Sequence, residues 1–107
     1  MKITPEQAQE LLKDKYEKYN HPGIYSIYLN GKLAYIGKSR NMAIRIANHV
    51  QEIENNQKSN KYIQLRRARE AGCTIGFDVL EILELDDELI SKEEAKLIRQ
   101  FYPPLNM

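Results

Sequence analysis

Cysteine is almost absent from this 107-residue chain: Cys73 stands alone. One thiol excludes an internal disulfide and any cysteine-rich zinc centre. The expected state is a small buried thiol in a reducing, cytoplasmic compartment. No apolar run approaches the ~20 residues of a membrane span, and no secretory leader pattern precedes Thr4. Internal repeats and low-complexity segments are missing as well. Net charge is scarce too, +1 overall. What is there is 42% hydrophobic and 29% charged, the mix of one globular domain over 1–107 with a modest core.

The small net charge hides a strong asymmetry. Residues 32–69 carry nine Lys/Arg against Glu52 and Glu54, a balance of +7, whereas 70–107 carry three bases against nine acids, −6. Such a division suits one phosphate-facing surface and one acidic surface, the plainer reading being solvated helices of opposite sign. Lys38, Arg40, Lys58, Lys61, Arg66, Arg67 and Arg69 are the candidate nucleic-acid contacts.

Residues 23–39 organise the rest. Two short runs rich in aromatic and β-branched residues flank Asn30-Gly31, a strong hairpin signal. A two-residue turn would set Tyr25 opposite Ile36, with Tyr25 and Tyr35 on opposite faces. A three-residue Leu29-Asn30-Gly31 loop would set Tyr25 across from Tyr35, and this register is expected if both serve one site.

Around the hairpin the pattern is helical. Thr4-Pro5-Glu6-Gln7 fits a capping box with proline at the first helical position, so 1–20 reads as an N-terminal packing helix, running to about residue 19. His21 reads as a bland loop histidine. Ser39 or Asn41 can cap a helix to about Glu54, with Met42, Ile46, Val50 and Ile53 as its buried stripe and Arg45 and His49 half-buried on one flank. Asn60 is expected to cap a basic helix that runs through Ala71 and is stopped by Gly72. Thr74 to Glu84 reads as a third strand. The last helix buries Ile90, Leu97, Ile98 and Phe101. At about 100° per residue, Glu94 falls inside that stripe and Glu93 outside it. A carboxylate in an apolar face needs compensation. A capping box over Ser91-Lys92-Glu93-Glu94 is one.

Gly23-Ile24-Tyr25 and Tyr35-Ile36-Gly37, with nine residues between the tyrosines, resemble the signature of the GIY-YIG nuclease superfamily. The resemblance extends over 22–107. Lys38 follows the second tripeptide, Arg45 stands ten residues after Tyr35, and His49 one turn further on. Glu94 precedes Leu97-Ile98 by three, and Pro103-Pro104-Leu105-Asn106 closes the chain. This family includes the N-terminal domain of the excision-repair nuclease subunit and homing endonuclease catalytic domains.

The resemblance implies an α+β fold, a three-stranded antiparallel sheet flanked by helices, and a Mg2+- or Mn2+-dependent DNA endonuclease of the one-metal kind. The metal is expected at Glu94, phosphate stabilisation at Arg45, and water activation at Tyr25 or Tyr35, with Tyr25 favoured. Lys38, His49 and Asn106 complete the catalytic set. His49 would contact phosphate or shuttle protons. Asn106 would orient a metal-bound water or tie down the C-terminus. Such hydrolysis needs a hard cation, a phosphate clamp and a base. DNA is the expected partner, with specificity drawn from DNA structure or a partner protein, in repair or recombination among other roles. The alternative is a catalytically silent nucleic-acid-binding module, or a partner-dependent subunit, with the same fold. The acidic 81–94 stretch could in addition serve protein interaction.

Overall fold

Asn30 and Gly31 adopt φ values of 50° and 78°, the positive pair that a tight two-residue hairpin turn requires. In a computed structural model of the chain, which describes residues 3–55 and 58–106, that turn sets the register of the sheet. Leu29 pairs with Lys32 and Tyr28 with Leu33. The expected three-residue loop is therefore incorrect. Beyond the turn, however, Ile27 pairs with Tyr35 and Tyr25 with Gly37. Ala34 is the extra residue of a β-bulge. Because side chains alternate, that one residue moves Tyr35 onto the face carrying Tyr25. Without it the tight turn would leave the two tyrosines on opposite faces.

The elements run α1 (Pro5–Leu12), a 3-10 turn (Lys13–Lys15), α2 (Tyr16–Tyr19), β1 (Gly23–Leu29), β2 (Lys32–Ser39), α3 (Met42–Glu54), α4 (Asn60–Glu70), β3 (Ile75–Ile82), α5 (Asp87–Phe101) and a closing 3-10 turn (Pro104–Asn106). The sheet is antiparallel in the order β2-β1-β3. One face packs Tyr25, Ile27 and Tyr35 against Ala8, Tyr16, Met42, Ile46 and Leu65 of the helices α1 to α4. The other packs Ile24 and Ile36 against Ile90, Leu97 and Ile98 of α5. Central β1 is thus buried on both sides. This is the expected α+β architecture, with a helical segment in front of it.

Local chemistry explains most of the boundaries. Thr4 Oγ1 accepts from the Gln7 backbone at 3.2 Å while Gln7 Oε1 accepts from the Thr4 backbone at 2.9 Å, so the capping box forms. The N-terminal helix is nevertheless interrupted at Lys13, where φ is 51°. Asn41 caps α3. Ser59, not Asn60, occupies the cap position of α4, without a side-chain hydrogen bond. Asp86 caps α5 by accepting from Glu88 and Leu89. Ser91 therefore lies inside the helix, and the capping-box explanation of Glu94 falls away. Phe101 is 49% exposed, outside the stripe in which it was expected. Cys73 is only partly buried, unlike the expected core thiol.

Two contacts brace β2. Asn106 Nδ2 donates to the Ile36 carbonyl and its Oδ1 accepts from the Ile36 N–H, both at 2.8 Å. The amide thus ties the closing turn to β2 beside Tyr35, with both polar ends engaged. At Gly37 an added Cβ would lie 2.3 Å from Cζ and Oη of Tyr25. The Tyr25 ring occupies the space that any other residue would fill.

Removing the first contact in Asn106→Ala strands a part-buried backbone donor and acceptor, and should cost about 1–3 kcal/mol in urea denaturation. An unchanged midpoint would contradict that bracing role. Gly37→Ala must push the Tyr25 ring aside, at about 1–3 kcal/mol of overpacking. Its near-ultraviolet tyrosine signal should change as well, and a variant with wild-type stability and spectrum would show that the contact yields.

Candidate active site

Tyr25 reaches the site from the most buried strand, and its hydroxyl must find partners there. Its residue is 1% exposed. The hydroxyl lies 2.5 Å from His49 Nε2, and the Arg45 guanidinium beside it favours the ionised phenol. Arg45 and His49 are one turn apart on α3, so both point at the same ring. The other imidazole nitrogen, Nδ1, is 2.8 Å from the Tyr62 hydroxyl of α4. The result is a cluster of four rings: centroids are 6.4 Å apart for Tyr25–Tyr35, 5.4 Å for Tyr25–His49, 6.1 Å for Tyr35–His49 and 5.7 Å for His49–Tyr62.

Burial dominates the electrostatics. His49 is fully buried, deeper than the half-buried flank expected of it, because both ring nitrogens have partners. Desolvation, then the charges of Lys61 and Arg45, lower its pKa to about 2, so the imidazole is neutral at any working pH. Desolvation, helped slightly by the nearby Tyr35, pushes the Tyr25 phenol well above its usual range, against the pull of Arg45. Tyr35 is raised too, chiefly by desolvation, with Arg45 opposing and Glu94 adding. Its side chain is only half-buried.

Lys61 joins this cluster from α4. Its Nζ lies 4.7 Å from the centroid of Tyr35 and 4.9 Å from that of Tyr62, cation–π contacts with two rings. Desolvation and the Arg45 charge lower its pKa to about 8. Of the proposed basic surface, Lys61 is thus brought into the site itself. Lys38 donates to Ser91 Oγ at 2.8 Å. Arg40 pairs with Asp87 at 3.5 Å and Arg69 with Glu54 at 2.6 Å. Lys58 and Arg67 are exposed, and Arg66 is half-buried on α4.

Glu94 comes from α5, on the other side of the sheet, yet its charge is felt at Tyr35. The carboxylate is half-buried and makes no hydrogen bond or ion pair among the described residues. Desolvation raises its pKa, and only Lys38 opposes that rise. No group of three or more His, Cys, Asp or Glu gathers among the described residues. A transition-metal cage is therefore not what this site offers. One carboxylate, with the remaining positions left to water and phosphate, is instead a donor set that suits Mg2+.

Tyr62 is the site residue that the sequence pattern did not single out. It lies three before buried Leu65 on α4, the spacing of an ordinary core aromatic. Nothing in the chain itself distinguishes it from packing.

The sequence matches the GIY-YIG catalytic domain over residues 21–106. Among solved structures, a point mutant of bacteriophage T4 EndoII is 26% identical, with a TM-score of 0.63, covering 78% of this chain and 72% of that one. The GIY-YIG N-terminal endonuclease domain of UvrC from Thermotoga maritima, bound to its catalytic divalent cation, magnesium, is 23% identical. Its TM-score is 0.53, and the match covers 89% of this chain and 99% of that one. No curated protein matches the chain. With the fold, the two tripeptides and a match over nearly its whole length, the chain belongs to the GIY-YIG catalytic domain family.

Proposed function

We propose that this chain is a divalent-metal-dependent DNA endonuclease that hydrolyses phosphodiester bonds with a single Mg2+ or Mn2+ held at Glu94. The observation that carries the reading is Glu94 itself. Its half-buried carboxylate has only Lys38 to offset its charge, beside a cluster holding Arg45, Lys61 and two tyrosines. A solitary carboxylate in that setting is costly without a cation. The likeness to T4 EndoII and to a UvrC domain with a catalytic divalent cation supports the same chemistry.

When bound, the cation supplies Lewis-acid polarisation of the phosphate and stabilises the leaving oxygen. Arg45, half-buried and fixed through Tyr25, donates to the phosphate and stabilises the negative charge that develops on it. Tyr35 is the better placed of the two tyrosines to accept a hydrogen bond from the attacking water. Its ring is half-exposed, whereas Tyr25 is buried and its oxygen already engaged by Arg45 and His49. His49 acts through Tyr25 rather than on phosphate, and Asn106 fixes β2 rather than a water.

Lys38, Lys58, Lys61, Arg66 and Arg67 would track the DNA backbone, with Arg40 and Arg69 tempered by their acidic partners. An open groove of about 400 Å³ lined by Lys38, Ser39, Arg40, Asp87, Ile90 and Ser91 adjoins Lys38. It offers hydroxyls and cations for a flanking phosphate. No helix among the described residues is long and apolar enough to cross a membrane, and we place the protein in the reducing cytoplasm. A specificity-conferring partner or a branched or flapped DNA would complete substrate choice in repair or recombination.

The decisive assay is cutting of supercoiled plasmid and branched duplex in Mg2+, Mn2+ and EDTA. Wild type should nick DNA only with metal, and Glu94→Ala should lose activity by at least ~100-fold while staying folded. A folded wild type that never cuts, yet retains DNA, would instead support the silent binding module.

Lys61 gives a prediction in pH. Its ammonium is lost above about 8 in the free protein, so the contact with phosphate is present below that value and fades as pH rises through it. DNA retention in EDTA should therefore weaken above pH 8 in wild type. Lys61→Arg, which stays charged, should flatten the profile; parallel profiles would remove Lys61 from the contact.

A further inference from the structure

The buried chain Arg45–Tyr25–His49–Tyr62 can be wired in only one direction. A neutral imidazole carries one N–H and one lone pair, so the two contacts of His49 cannot both be donations. Suppose Nε2 held the hydrogen. It would donate to the Tyr25 oxygen, beside which the Arg45 cation already stands. The Tyr25 O–H would then have no acceptor among the described residues, inside a residue that is 1% exposed. Native structures rarely leave such a donor unsatisfied.

Suppose instead that Nδ1 holds the hydrogen. Arg45 then donates to Tyr25, Tyr25 donates to His49 Nε2, and His49 Nδ1–H donates to the Tyr62 oxygen. The remaining hydrogen, that of Tyr62, sits at the outer end of the chain with the half-exposed Glu52 close by. There it has water or a carboxylate to turn to. The hydrogens of Tyr25 and His49, the two most deeply buried rings of the chain, then both have acceptors.

We propose that Tyr62 is a positioning residue of this active site: by accepting the His49 Nδ1–H it fixes the imidazole tautomer, which turns the Tyr25 hydroxyl towards His49 and leaves a phenolic lone pair to hold Arg45. Tyr62 touches neither phosphate nor metal in this arrangement. It acts through two intermediates on the guanidinium that clamps the phosphate. The proposal deepens the endonuclease reading and rests on it for its kinetic consequence, whereas the tautomer stands independently.

The test is long-range proton–nitrogen NMR of protein labelled with ¹⁵N-histidine. His21, the other histidine, is assigned by the spectrum of His21→Gln. Wild type should show His49 with a protonated Nδ1 and a bare Nε2. In Tyr62→Phe, which keeps the ring beneath Lys61 but loses the acceptor, each tautomer strands one donor, so the preference should collapse into a mixture of Nδ1- and Nε2-protonated forms. A wild-type His49 protonated at Nε2, or a pattern untouched by Tyr62→Phe, overturns the proposal whether or not the protein cuts DNA. In the cleavage assay Tyr62→Phe should lower kcat about tenfold to a hundredfold with KM nearly constant, the range carried by residues that orient a functional group. A mixed tautomer with wild-type kcat would overturn the positioning role. Failure of wild type to cut refutes the endonuclease reading and leaves the NMR arm to decide the wiring.

Discussion

The Tyr25 ring lies where the side chain of residue 37 would otherwise be, and the rest of the site follows from that close approach. β1 has no solvent side, so a tyrosine there must find partners for its hydroxyl within the protein. Of the helices on that face, α3 offers Arg45 and His49 one turn apart. A buried histidine then needs a second partner, which brings in Tyr62 and with it α4. A glycine at 37 is thus a condition for three helical side chains to meet at one place. The order of dependence runs from the sheet outward.

The electrostatic character of the site follows from the same burial. The interior cluster contains Arg45 and Lys61 but no carboxylate, and desolvation has already made His49 neutral and weakened the Lys61 cation. The acids lie outside it. Two of them, Glu54 and Asp87, take up Arg69 and Arg40 at the rim. Exposed pairs of that kind add little stability, but they restrict the positive surface available to a phosphate. Glu94 is left half-buried beside the cluster with only Lys38 opposing its charge. A positive pocket with one negative group at its edge suits a phosphate and a cation together better than either alone.

The fold was legible in the sequence because its signals are local. Asn30-Gly31 marks the turn, Thr4 to Gln7 the first cap, and the spacing of Ile90, Leu97 and Ile98 the buried side of α5. The hairpin register was not legible. Nothing about Ala34 announces a bulge, and the face on which Tyr35 sits depends on that one residue. The three-residue loop was inferred from a correct requirement, that both tyrosines share a face, but the chain meets it by a different device. Of the candidate site, Arg45, His49 and Glu94 stood out because polar groups in or beside apolar stripes need explanation. Tyr62 did not, because a tyrosine at core spacing is indistinguishable from packing until its hydroxyl is seen against His49.

The two tripeptides look interchangeable in sequence, yet the structure makes their tyrosines unequal. Tyr25 sits on a central strand with neighbours on both sides, and its oxygen is spent on internal hydrogen bonds. Tyr35 sits on an edge strand, turned onto the same face by the bulge, and stays half-exposed beside Lys61 and within the influence of Glu94. On the proposed reading, burial of one and exposure of the other divide the work between orienting Arg45 and meeting the attacking water. A phenol sealed inside the sheet cannot reach a water, and a phenol at the rim cannot hold a guanidinium from below. The asymmetry comes from strand order, not from residue type, so the proposed mechanism gives the same letter a different task in each copy.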